Sequence, residues 1–219
     1  MRGGQSDAME KFHTQQDLET AIAHLIEIEP RFASVHLKHG TPSLRRAAAD
    51  LESLLSIITD QFLSLQAGAA IWLRLKTRLG EVSPQKIIAC SQEELVLLGL
   101  SRAKAKCFHG CALAELDFAN LVEMGPATIR QKLLAIWGIG PWTADIFLLT
   151  ALADANAWPV GDLALQIAAQ DLLGLRKRPD VVKMAKIAKP WQPYRAAAAR
   201  LLWAHYRGLK GLTQAPSQN

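Results

Sequence analysis

The stretch from Leu133 to Phe147, LLAIWGIGPWTADIF, constrains this chain more than any other. An apolar run reaches Gly138-Ile139-Gly140-Pro141 and resumes at once behind it. Inside a helix, glycine costs about 1 kcal/mol and proline about 3. Two helices must therefore meet here in a sharp turn, and Pro141 suits the first position of the second one. The amides at the start of that helix, together with its dipole, make an anion site. Glycine lets a phosphate come close because no Cβ stands in the way. Taken alone, the pattern serves equally as a ligand-free helix corner.

Helical spacing continues along most of the sequence. Asp17 is placed to cap DLETAIAHLIEIE, whose Leu18, Ile22, Leu25 and Ile26 share a face, and Pro30 stops it. Residues 44–63 read as one long amphipathic helix, and 67–79 as another that Gly80 ends. Ser83-Pro84 opens the next. Ser91 with Glu94 forms a capping box, Gly99 ends that helix, and Ser101 caps RAKAKCFHGCALAEL. Residues 126–137 enter the glycine turn and 142–152 leave it. Asp162 begins a helix ending at Gly174, Pro179 opens another, and 193–207 form the last. No segment reads as a strand, so the fold class is all-α.

The composition narrows the function. The formal charge is +5, and ten Lys or Arg face one acid, Asp180, between Gly174 and Lys210. That basic segment suits phosphate, or is simply a solvated face. Cys90, Cys107 and Cys111 form no disulfide framework or metal-ligand pattern, which places the chain in a reducing compartment, with core thiols. No apolar run reaches the roughly 18 residues of a membrane span. No secretory signal is recognisable, and residues 1–11 and 211–219 read as flexible ends.

Four segments, in order and at matching spacing over roughly residues 15–207, make the chain resemble the DNA-3-methyladenine glycosylase II (AlkA-like) branch of the helix-hairpin-helix base-excision DNA glycosylases. They are SIITDQFLSLQAGAAIWLRL (56–75), LGLSRAKAK (98–106), the L-x-x-I-W-G-I-G-P-W-T-A hairpin, and W-x-P-Y-R-x7-W from Trp191 to Trp203. The hairpin is followed by the loop NAWPVG and by Asp162, 22 residues after Gly140.

The resemblance implies a two-lobe helical fold with the active-site cleft between the lobes. Lobe one spans about 37–154 with the hairpin at 133–147; lobe two joins 12–36 with 155–210. It implies that amides around Gly138, Gly140 and Trp142, with the Thr143 hydroxyl, hold a DNA phosphate. Carbonyls of Leu134, Ile136 and Ile139 would bind a sodium or potassium ion. Phe62, behind Gln61, stands at the position that wedges into the duplex, where the family often carries Gln or Leu; phenylalanine is a departure, and it also suits a core position. Asp162 is the catalytic carboxylate, placed to stabilise a sugar cation and to orient or deprotonate water; the same residue could be a plain helix cap. Trp142 and Trp203 are pocket walls for a flipped, positively charged base. Trp191 and Tyr194 read as packing.

The expected activity is hydrolytic removal of alkylated purines such as 3-methyladenine from duplex DNA by a monomer, in the cytoplasm or nucleoid, or the nucleus of a eukaryote. Trp142 occupies the position of the Schiff-base lysine of bifunctional members, so no lyase activity is expected. No catalytic cofactor is implied. No cysteine follows Cys111, which leaves the four-cysteine iron–sulfur loop of endonuclease III-like branches without ligands. About 15 residues precede the first helix, too few for the β-rich domain of larger AlkA proteins. The alternatives are a glycosylase for another lesion, hypoxanthine or an etheno adduct, and a non-catalytic lesion-binding module.

Overall fold

A computed structural model describes residues 11–212. In chain order its α-helices are α1 (Gln15–Ile28), α2 (Phe32–His39), α3 (Leu51–Asp60), α4 (Leu65–Leu79), α5 (Pro84–Ala89), α6 (Gln92–Leu97) and α7 (Arg102–Leu113). There follow α8 (Phe118–Val122), α9 (Pro126–Leu134), α10 (Pro141–Thr150), α11 (Leu163–Leu172), α12 (Val181–Ala188) and α13 (Arg195–Leu209), with a 3-10 turn at Lys189–Trp191. Among the described residues the only β-type pairing is an isolated bridge between Lys11 and Asp154. No described helix is long and apolar enough to cross a membrane.

Side-chain caps account for most helix starts. Ser64, Ser83, Ser91, Ser101, Asp117 and Asp162 each accept an amide from the first turn of the helix they precede. Three expectations move. Thr14, not Asp17, caps α1; Asp17 is the acidic partner of the capping box, its carboxylate accepting the Thr14 amide at 2.9 Å. The helix expected over 44–63 begins only at Leu51, because Asp50 turns its carboxylate onto the Ser53 amide and starts the helix there. Asp180 rather than Pro179 starts α12, by the same device on Lys183. Helices α2 and α8 are not evident in the sequence pattern.

The chain forms two compact units, one of residues 46–152 and one joining the residues up to Arg45 with those from Ala153 on. Residues 37–45 thus lie with the terminal unit and not with the central one, because α2 packs on α13. Within that terminal unit α13 is the hub, contacted by α1, α2 and α11. Ala196, Ala197, Ala198 and Ala199 are all fully buried, and side chains this small let neighbouring helices come close. Trp191 is edge-on to both Phe32 and Trp158, and Tyr194 stacks on His24, so both pack as expected. Lys11 and Leu212, expected in loose ends, are held, Leu212 by its amide on the Arg207 carbonyl at 2.9 Å. The rest of the expected flexible ends, 1–10 and 213–219, lie outside the described residues.

The central unit is built on α3, α7 and α10. Leu54, Leu55, Ile58, Phe108 and Phe147 are completely buried, each worth about 1.5–3 kcal/mol of apolar transfer. In α10 every residue from Thr143 to Leu149 is buried. A helix apolar nearly all round belongs in a core. This one carries its N-terminal end, and with it the glycine turn, as a fixed part of the unit.

Candidate active site

The hairpin begins where α9 ends at Leu134. The Ile139 amide donates to the Ile136 carbonyl at 3.1 Å, closing a tight turn before Gly140 caps α10. The two glycines differ. Gly138 has φ +88°, and a Cβ there would lie 2.9 Å from both Cβ and Sγ of Cys107. Backbone and packing both demand glycine at 138. Gly140 has φ −95°, and a Cβ there would meet nothing within 4 Å. Neither backbone nor packing demands glycine at 140. First-turn amides find no acceptor inside their own helix, and no side chain caps this one. Together with the helix dipole this leaves an anion-attracting end.

Two features hold the hairpin to shape. Arg130 of α9 donates from Nε to Asp145 of α10 at 2.7 Å, and Asp145 is only 4% exposed. This ion pair is absent from the sequence expectations, although a lone acid in the apolar run PWTADIFLLT is its signal. Trp137 is 52% exposed at the turn, and the Lys106 ammonium lies 4.1 Å from its ring centroid. In the sequence Trp137 reads as one more apolar residue, with nothing to mark this contact. Trp142 is half-buried at the start of α10.

Thr143 is buried, and its hydroxyl accepts the side-chain amide of Gln61 at 2.5 Å. Gln61 caps the C-terminal end of α3, and Phe62 follows it. Phe62 is fully exposed, at 103%, with φ +57°. The alternative of a core position for Phe62 is therefore gone. Leu134, Ile136 and Ile139, whose carbonyls are the expected cation ligands, lie at the end of α9 and in the turn that follows it. The Ile136 oxygen keeps a second lone pair beyond its bond to Ile139. Among the described residues no group of three or more His, Cys, Asp or Glu could hold a metal.

In the terminal unit, Asp162 ends the loop after Trp158-Pro159-Val160-Gly161 and caps α11. Its Oδ1 accepts the Leu165 amide at 2.9 Å and the Trp203 indole N–H at 3.3 Å. Trp203 thus reaches across from α13 to hold the carboxylate. Asp162 is half-buried, at the edge of a shallow depression lined by Trp158, Pro159, Gln166, Val181 and Met184. The basic segment divides: Arg176, Lys177, Arg178, Lys183, Lys186 and Lys189 are exposed, whereas Arg200 is buried in α13. Burial pushes the Arg200 guanidinium down to about 10.

Known proteins share this architecture and sequence. The family described as HhH-GPD superfamily base excision DNA repair protein matches residues 55–193. The alkylbase DNA glycosidase-like protein mag2 of Schizosaccharomyces pombe is 27% identical over 198 residues, covering 85% of this chain and 93% of that protein. The putative DNA-3-methyladenine glycosylase YfjP of Bacillus subtilis is 32% identical over 124 residues, which span 55% of this chain but only 43% of the relative. Among solved structures, the 3-methyladenine DNA glycosylase Mag1 of S. pombe, in complex with abasic DNA, has a similar fold, with TM-score 0.76 and 23% identity over 87% of this chain and 97% of that one. The DNA-3-methyladenine glycosidase of Bacillus halodurans has TM-score 0.71 and 27% identity over 93% and 95% of the two chains. The family match spans the Phe62 segment, the glycine hairpin and Asp162 together, and on that evidence the chain belongs to the HhH-GPD superfamily of base excision DNA repair proteins.

Proposed function

We propose that the protein is a monofunctional DNA glycosylase that removes alkylated purines of the 3-methyladenine type from duplex DNA. The observation that carries this reading is Asp162, a half-buried carboxylate held on one oxygen by the Leu165 amide and the Trp203 indole. Such a group is held by two donors, one of them beyond the cap itself, and stays partly open to solvent. The names of the relatives, alkylbase and 3-methyladenine glycosylases, support the substrate class.

The hairpin would grip the backbone through the amides of Gly138, Gly140 and Trp142, where Gly140 lets a phosphate close in. Carbonyls of Leu134, Ile136 and Ile139 would hold a sodium or potassium ion, which supplies positive charge toward that phosphate. The Thr143 hydroxyl accepts from Gln61 and would still have its own O–H to donate toward that phosphate. Phe62 would enter the stack left by the flipped nucleotide, since apolar side chains separate base steps. Trp142 and Trp203 would offer aromatic faces, which attract a cationic base more than a neutral one. Alkylation already weakens the bond between C1′ and the base. As it breaks, its electron pair leaves with the base and the sugar becomes an oxocarbenium ion. Asp162 stabilises that charge, orients the water whose oxygen then bonds to C1′, and takes up the proton that the water loses. Trp142 cannot form a Schiff base, so the strand would stay intact.

The test is release of free 3-methyladenine from methylated duplex DNA by the wild type and by Asp162→Asn. Asn caps a helix as well as Asp does, so the variant should keep its fold. Expected is release by the wild type, a fall of about 100-fold or more in the variant, and no borohydride-trapped adduct with either. Equal release by a folded Asn variant would sink the catalytic assignment, and a trapped adduct would sink the monofunctional one.

A further inference from the structure

The segment behind α3 is held more firmly than a surface loop requires. Phe62 sits in the left-handed region of backbone space, which side chains other than glycine rarely adopt, and its ring is wholly exposed. Both features run against folding, so neighbouring groups must over-determine the backbone. Two groups do. The Lys104 ammonium, from the first turn of α7, donates to the carbonyl oxygens of Thr59 and Gln61, each at 2.7 Å. These carbonyls end α3, where a helix leaves acceptors unsatisfied and its dipole favours a cation. The Gln61 side chain then ties the same point to Thr143 in the first turn of α10. The lysine is spent inward. Burial lowers its proton affinity and raises that of the neighbouring Asp60 carboxyl, and each charge partly offsets the other's burial.

We infer that Lys104 is a positioning residue for Phe62, holding the end of α3 so that the ring projects outward. The Gln61–Thr143 bond joins that projection to the anion-attracting end of α10, so phosphate binding and insertion of the ring act on one rigid piece. The inference rests on the proposed entry of Phe62 into DNA. Lys104 itself touches neither substrate nor reacting atoms.

The test uses the full chain with a duplex carrying 2-aminopurine beside a tetrahydrofuran abasic analogue. Wild type, Lys104→Met and Lys104→Arg are compared by 2-aminopurine fluorescence, by duplex affinity and by amide exchange. Met keeps the bulk of the side chain and removes its donors. Expected is a fluorescence rise with the wild type that falls about tenfold in Lys104→Met, while affinity changes less than about threefold. Amide exchange should quicken at residues 61–63 and stay unchanged in the rest of α3, α4 and α7. Arg, which can still donate to both carbonyls, should restore most of the signal. An undiminished rise in Lys104→Met, or a loss of protection throughout those helices, would overturn the inference, the latter by showing a general structural role. Base release from methylated DNA is read separately. A wild type that unstacks the duplex but releases no base would refute the glycosylase reading and leave the positioning of Phe62 standing. A wild type that gives no rise would overturn the positioning.

Discussion

Alanine at Gly138 and at Gly140 should have opposite consequences, though only Ile139 lies between them. At Gly138 the backbone has φ +88°, and alanine there costs roughly 1–2 kcal/mol in the left-handed region. Its Cβ would also sit 2.9 Å from Cβ and Sγ of Cys107, and forced overpacking of this kind costs roughly 1–3 kcal/mol. The sum is about 2–5 kcal/mol, or a melting temperature lower by about 4–20 °C for a chain of this size. Adding Cys107→Ala should recover only part, because it removes the sulfur but keeps the Cβ. At Gly140 the backbone has φ −95° and the space is open, so alanine should change stability by less than about 1 kcal/mol. On the proposed grip of a DNA phosphate its methyl would stand in the way, and affinity for duplex DNA should fall about tenfold or more, some 1.4 kcal/mol. Thermal and urea unfolding followed by circular dichroism, with anisotropy on a labelled duplex, measure both. A Gly138→Ala protein as stable as wild type, or a Gly140→Ala protein that unfolds early while binding normally, would refute the division of labour.

Three further outcomes are expected. Arg130→Met takes the guanidinium from the buried Asp145 and should cost about 2–4 kcal/mol in urea unfolding, short of a fully buried pair because Arg130 is about a third exposed; a cost below about 0.5 kcal/mol would show that the pair does not hold the hairpin. Burial holds the Asp154 carboxyl above its ordinary range, against the amides of Asn156 and Ala157 and the charge of Arg195. A folded value above the unfolded one makes a contribution that is complete below the unfolded value and is lost as pH rises through the folded one. Asp154→Asn should therefore gain more stability over wild type at pH 7 than at pH 4, and melting curves at the two values test the sign. Replacing exposed Arg176, Lys177 and Arg178 by Gln should reduce the slope of log affinity against log salt by about 0.9 for each phosphate these side chains neutralise; an unchanged slope would remove this segment from the DNA-contacting surface.

The helical class, most of the caps and the glycine turn were legible in the bare sequence, because these depend on neighbours within four residues. Ser83, Ser91, Ser101 and Asp162 cap where their side chains can reach the next turn's amides and nowhere else. Two caps fell elsewhere than expected, at Thr14 and Asp180, where several polar residues compete and local pattern does not choose between them. Folding in three dimensions was needed to bring residues far apart in the chain onto the same few atoms. Gly138 is irreplaceable because Cys107, 31 positions earlier, packs against it. Trp203 orients Asp162 across 41 positions, and Lys104 reaches the end of α3 across 43 and 45. Phe62, which the sequence left open between a wedge and a core residue, is turned outward because Lys104 holds the backbone carbonyls before it and Thr143 holds the Gln61 side chain. Such contacts follow from how helices pack, and packing is chosen by the whole apolar surface at once, which no local stretch of sequence records.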